Sequence, residues 1–180
     1  PDARWQAVEA ALEEKFAEFS ERLARLDLGL VEADYRAVRR QAEAWLQRRM
    51  GDPSWRMLET EIGFGPQSSW PSVVVTMPDG AEPVSLRGRI DGVERVGDVV
   101  RAVEFKSGRG DGYRRRLQDG ALDTQFQLVV YAAAVERARR AGRLPPDCTT
   151  VDGVYVGFRD LAEHTLRDAL GGDGRKRLPR

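Results

Sequence analysis

Three residues with chemical capacity lie close together in the order acid, acid, amine: Asp91, Glu104 and Lys106. They sit in two stretches that alternate apolar and polar residues, Leu86 to Val96 and Val99 to Lys106, separated only by Gly97-Asp98. That pattern predicts a β-hairpin with a two-residue turn, and the turn fixes the register. Val96 then faces Val99, Glu94 faces Arg101, Asp91 faces Glu104 and Arg89 faces Lys106. Strand alternation puts Asp91, Glu104 and Lys106 on one face and turns Ile90 and Phe105 to the other, towards a core. Two opposed carboxylates repel each other on a half-buried sheet. A hard divalent cation removes the conflict, with the main-chain carbonyl of Phe105 and water completing its shell. Lys106 is one of three lysines, with Lys15 and Lys176, in an arginine-rich chain. An ammonium, unlike a guanidinium, can give up its proton when partly buried, and a hydrolytic site can use that. The competing reading is an exposed hairpin laced by salt bridges, Asp91 to Arg89 or Lys106 and Glu94 to Arg101.

Three motifs occur in order along the chain: Gly88-Arg89-Ile90-Asp91, then Glu104-Phe105-Lys106-Ser107-Gly108, then Gln127-Leu128-Val129-Val130-Tyr131. Together they resemble the RecB-like branch of the PD-(D/E)XK nuclease superfamily, and within it the C-terminal nuclease domain of AddB-type helicase-nucleases. The resemblance implies that Asp91 and Glu104 are metal ligands for Mg²⁺ or Mn²⁺, that Lys106 is the catalytic lysine, and that Gln127 and Tyr131 stand beside them near the nucleic acid. It also implies hydrolysis of DNA phosphodiester bonds, on single strands fed by helicase domains or subunits, during recombination and double-strand break repair in the bacterial cytoplasm at the nucleoid. Relatives often carry an acid three residues before an aromatic, and Glu61 before Phe64 fits. Where they often carry a histidine three residues before a Leu-Glu pair, this chain has Glu9, which supplies an oxygen ligand or marks a missing one. Iron-sulfur relatives use four cysteines, whereas only Cys148 is present, so no such cluster is expected.

Other elements must hold these groups. Asp2 to about Leu26 carries an apolar stripe (Trp5, Val8, Leu12, Phe16, Phe19, Leu23, Leu26) and predicts a helix, followed by a second from about Glu32 to Met50. Trp55 to Gly65 and Val73 to Met77 read as strands. Ala121 to Ala141, stopped by Gly142, reads as a helix on which Gln127 and Tyr131 form one polar stripe four residues apart, while Phe126, Leu128, Val129 and Val130 serve packing. Val151 to Phe158 reads as a strand and Arg159 to Leu170 as a late helix, in which the sole histidine, His164, is structural. Between them, Ser107 to Gly120 offers Arg109, Tyr113, Arg114, Arg115 and Arg116 among glycines, which suits phosphate contact and base stacking or a plain surface loop.

At 180 residues, 41% hydrophobic and 32% charged, the chain has the composition of a globular domain. Formal net charge is zero, so nucleic-acid binding must come from local patches. No apolar run is long enough for a bilayer, so no membrane partner is expected, and the absence of an initial methionine suggests a fragment of a longer chain. The expected architecture is α/β (α+β-like): a central mixed, largely antiparallel sheet flanked by helices, with a restriction-endonuclease-like core. One domain is expected over residues 1–180, with a helical part at 1–54, a catalytic core at 55–170 and a basic tail at 171–180. Two other classes stay open at this level: a catalytically degenerate module that binds DNA or a partner, and an interaction domain whose hairpin acids are structural.

Overall fold

The computed structural model describes residues 3–23, 28–77, 80–106 and 126–169. Two compact units divide the chain, Pro1–Arg48 and Arg49–Arg180. In the first, α1 (Ala3–Leu23) is followed by α2 (Leu28–Met50), whose last two residues belong to the second unit. Arg39 of α2 joins the helices by reaching Glu9 at 3.2 Å and Glu13 at 3.4 Å on α1, while Glu43 holds its Nε at 2.8 Å. The apolar stripe of α1 is narrower than expected, because Phe19 is more than half exposed.

The second unit is built on a five-stranded mixed sheet. Its strands are β1 (Trp55–Phe64), β4 (Gly88–Val96), β5 (Val99–Lys106), β6 (Thr150–Gly157) and β7 (Glu163–Thr165), in that spatial order. A small antiparallel pair, β2 (Val73–Val75) with β3 (Val84–Leu86), leads into β4. Among the described strands only the β5/β6 pair is parallel, and α3 (Phe126–Arg140) lies in the connection between those two strands, as a parallel crossover requires. This is the mixed, largely antiparallel sheet with helices that the sequence predicts.

The β4/β5 hairpin has the expected register, with Val96 against Val99, Glu94 against Arg101 and Gly92 against Val103. Gly97 supplies the left-handed φ of +62° that the first turn position needs. Asp98 then anchors the turn to the start of β6: its carboxylate accepts from Thr149 Oγ1 at 2.6 Å and its carbonyl from Thr149 N at 2.9 Å.

The burial pattern of α3 explains its place. Leu128, Val130, Tyr131, Ala132, Ala134, Val135 and Ala138 are buried, and small residues dominate because the helix lies close to the sheet. Leu128 rests over Gly153, where an added Cβ would come within 2.8 Å of its Cγ. The helix ends in a Schellman arrangement, with Arg143 N donating to the Ala138 carbonyl, Gly142 N donating to the Arg139 carbonyl, and Gly142 at φ +69°.

Three expectations are corrected. Phe126 does not pack but is 51% exposed at the first described turn of α3. Residues 161–169 are not one helix: β7 pairs with β6, placing His164 opposite Tyr155, and only Leu166–Ala169 (α4) is helical. Ile90 is fully buried among Val93, Ala102 and Tyr131, whereas Phe105 is only half-buried and packs its ring on Phe158, centroids 5.4 Å apart.

Candidate active site

The paired register between β4 and β5 ends at Gly92 and Val103, one step short of Asp91 and Glu104. Beyond that point β4 keeps its ladder with β1, through Ile62 against Ile90 to Phe64 against Gly88, and β5 keeps its ladder with β6 as far as Lys106 against Gly157. The two strands therefore part where the acids stand. Asp91 bridges the opening, its Oδ2 accepting the Phe105 amide N–H at 2.9 Å in place of a strand partner.

Glu104 is buried and its two oxygens are treated differently. Oε1 accepts from Lys106 Nζ at 2.6 Å and from Gln127 Nε2 at 3.0 Å. Oε2 is buried with no hydrogen-bond donor among the described residues. Such an orphaned acceptor is rare in a folded interior and calls for a reason. Burial raises the Glu104 carboxyl above the ordinary carboxylate range, the Lys106 hydrogen bond opposes that rise, and the neighbouring charge of Asp91 adds to it. The two acids thus act on each other, as opposition across the hairpin predicts.

Gln127 joins the strand residues to the helix. Its Oε1 accepts from Lys106 Nζ at 3.0 Å, and its Nε2 donates both to Glu104 Oε1 and to the Tyr131 hydroxyl at 3.0 Å. One amide therefore meets an ammonium with its oxygen and a carboxylate with its nitrogen, the only orientation that satisfies both. Tyr131 is buried, which raises its hydroxyl above the usual phenol value, and its ring stands edge-on to Phe64 at 5.9 Å and 81°. Gly88 makes room for that pair, because a Cβ there would lie 2.8 Å from the Phe64 ring. The glycine and aspartate of Gly88-Arg89-Ile90-Asp91 thus serve packing and site in turn.

Asp91, Glu104, Lys106, Gln127 and Tyr131 are brought together. Glu61 is exposed at a left-handed φ of +52° and, among the described residues, meets Arg89 at 3.5 Å, itself 70% exposed. Glu9 lies in the helical unit, bound by Arg39. Arg109, Tyr113, Arg114, Arg115 and Arg116 lie outside the described residues. Among the described residues no group of three or more His, Cys, Asp or Glu converges, so a metal here would have two carboxylates and would need main-chain or water oxygens besides.

Of the salt bridges in the competing reading, Glu94 to Arg101 is present at 2.6 Å, but in a buried setting. Asp91 makes no ion pair with Arg89; it spends Oδ2 on the Phe105 amide. Sequence reasoning missed Tyr155, which pairs with Glu104 across β5 and β6 and whose ring centroid lies 5.4 Å from Lys106 Nζ. No local pattern marks it, since parallel register cannot be counted through a crossover.

Residues 1–174 match the family model described as the PD-(D/E)XK nuclease superfamily. Among curated proteins, the chain is similar to an ATP-dependent helicase/deoxyribonuclease subunit of Acetivibrio thermocellus, 32% identical over 97 residues, which cover 52% of this chain and 8% of that protein. It is also similar to the protein of the same name from Pelotomaculum thermopropionicum, 34% identical over 90 residues, covering 47% and 7%. The chain thus spans less than a tenth of the length of these relatives. With the described residues of the three ordered motifs gathered at one opening of the sheet and the family model matched over residues 1–174, the chain belongs to the PD-(D/E)XK nuclease superfamily.

Proposed function

We propose that this chain is a divalent-metal-dependent nuclease that hydrolyses DNA phosphodiester bonds, with Asp91, Glu104 and the Phe105 carbonyl holding Mg²⁺ or Mn²⁺. The observation that carries the reading is the donorless, buried Glu104 Oε2 at the point where β4 and β5 part. Nucleases of this superfamily generally use divalent metals. The donor set fits such an ion, since it is all oxygen, carries two negative charges and leaves acceptor capacity unused on both carboxylates. When bound, the ion supplies Lewis acidity toward a phosphoryl oxygen and charge to match the transition state.

The chain's own groups do the rest. Lys106 has three N–H donors, of which Glu104 and Gln127 take two; among the described residues the third has no acceptor, which leaves it to steer the attacking water or the scissile phosphate. Gln127 fixes the direction of that amine, and Tyr131 fixes Gln127. Donors held in place before substrate arrives need no reorganisation in the transition state. Glu61 and Glu9 are engaged by Arg89 and Arg39, and we leave both out of the ion's shell.

The names of the relatives support deoxyribonuclease action beside a helicase; to this we add that the substrate is single-stranded DNA met in recombination and double-strand break repair. The test is incubation of a labelled single-stranded oligonucleotide with the protein and Mn²⁺, beside Asp91→Ala and Lys106→Ala variants. Loss of about 10²-fold or more in both variants is expected. Absence of cleavage by the unaltered protein, or equal cleavage by the variants, contradicts the proposal. DNA binding without cleavage at any metal concentration indicates the degenerate module, a reading favoured by Glu9 standing where relatives often carry a histidine.

A further inference from the structure

We infer that Tyr155 is a positioning residue for the amine of Lys106, acting through the face of its ring. The inference rests on the nuclease reading for its consequence but on separate geometry for its basis. Tyr155 is 1% exposed and stands opposite Glu104 in the parallel ladder, on the face where alternation puts Lys106. The residue directly opposite Lys106 is Gly157, which has no side chain. The lysine stem therefore leans diagonally across that space, and Nζ lies 5.4 Å from the Tyr155 ring centroid. A ring face carries negative quadrupole charge and attracts a cation at this range.

The contact completes the enclosure of the amine. Glu104 and Gln127 hold it by hydrogen bonds, and the ring closes a third side without using a donor. It therefore restrains Nζ while leaving one N–H free for substrate. Tyr155 is itself buried in a cluster with Leu128, Ala132 and Leu166, and its backbone is fixed by pairing with His164 of β7. A ring fixed by that packing defines where a flexible four-carbon side chain can stop, which is how positioning acts on rate.

The experiment replaces Tyr155 by phenylalanine, by leucine, and by phenylalanines carrying one, two or three ring fluorines, which keep the shape but weaken the quadrupole. Phenylalanine should cleave like the unaltered protein. Leucine should lower kcat about ten-fold with KM within about two-fold, and the fluorinated series should fall stepwise between them. A purely packing role predicts a flat fluorine series, and that result overturns the inference. A second readout needs no activity: in proton NMR, ring current should shift the Lys106 ε-methylene upfield of those of Lys15 and Lys176, and the Leu variant should abolish the shift. Unshifted Lys106 protons in the unaltered protein also overturn it. Failure of the nuclease reading looks different: the unaltered protein, or Lys106→Ala equally with it, gives the wrong cleavage result while the ring-current shift persists.

Discussion

At the scale of single residues, the site is a small set of groups each doing more than one task. Gln127 is the best example, since one side-chain amide meets Lys106, Glu104 and Tyr131. Replacing it by leucine removes hydrogen bonds to two charged groups, so kcat should fall by about ten- to a hundred-fold in an oligonucleotide cleavage assay. Tyr131→Phe removes one neutral hydrogen bond while keeping the ring against Phe64, and the loss should stay near five-fold. Asp152 makes the opposite kind of statement. It is buried on β6, accepts from Gly153 N at 2.8 Å and Arg167 N at 3.1 Å, and burial raises its carboxyl above the ordinary range. A raised carboxyl pKa in the folded state contributes stability that is full below the unfolded value and lost as pH rises through the folded one. Asp152→Asn keeps both hydrogen bonds without the charge. Its melting temperature should therefore exceed that of the unaltered protein at neutral pH, and the gain should shrink as pH falls through the acid range, as calorimetry can follow.

At the scale of elements, the opening between β4 and β5 needs both strands held firmly on the near side of it. The turn at Gly97-Asp98 does this at one end, tied to Thr149. A buried charge network does it on the far face of β5, three residues from Glu104. Glu94, fully buried, accepts from Trp55 Nε1 at 2.7 Å, Arg49 at 3.0 Å and Arg101 at 2.6 Å, and Glu163 meets the same two arginines. The network thereby ties β1, β4, β5, β7 and the end of α2. Removing one member of a buried ion network strands its partners, so Glu94→Ala should cost ~3–5 kcal/mol in urea unfolding. An unchanged urea midpoint would show that the arginines find water instead.

At the scale of the whole molecule, what the sequence revealed depended on how far register can be counted along the chain. A two-residue turn sets an antiparallel register outright, so the pairing of Glu94 with Arg101 was legible, and with it the nearness of Asp91 to Glu104, although those two stand one step past the end of the ladder. Tyr155 was not, because the α3 crossover hides which residue of β6 meets Glu104. Glu163–Thr165 read as helix because three residues are too few to display a period of two, and pairing with β6 decides their state instead. The parting of the strands was also invisible: alternation predicts a continuous ladder, whereas Asp91 substitutes its side chain for the next rung. With formal net charge zero, the chain has no global field to draw in DNA, so on the proposed reading that work falls to local groups. The claim on which all of this turns is that the two acids share one ion. The most direct measurement is a crystal soaked in Mn²⁺ and examined for anomalous scattering. The account predicts a peak within about 2.0–2.6 Å of an Asp91 carboxylate oxygen, Glu104 Oε2 and the Phe105 carbonyl; a fully soaked crystal with no peak there, or with its ion bound away from both acids, would contradict it.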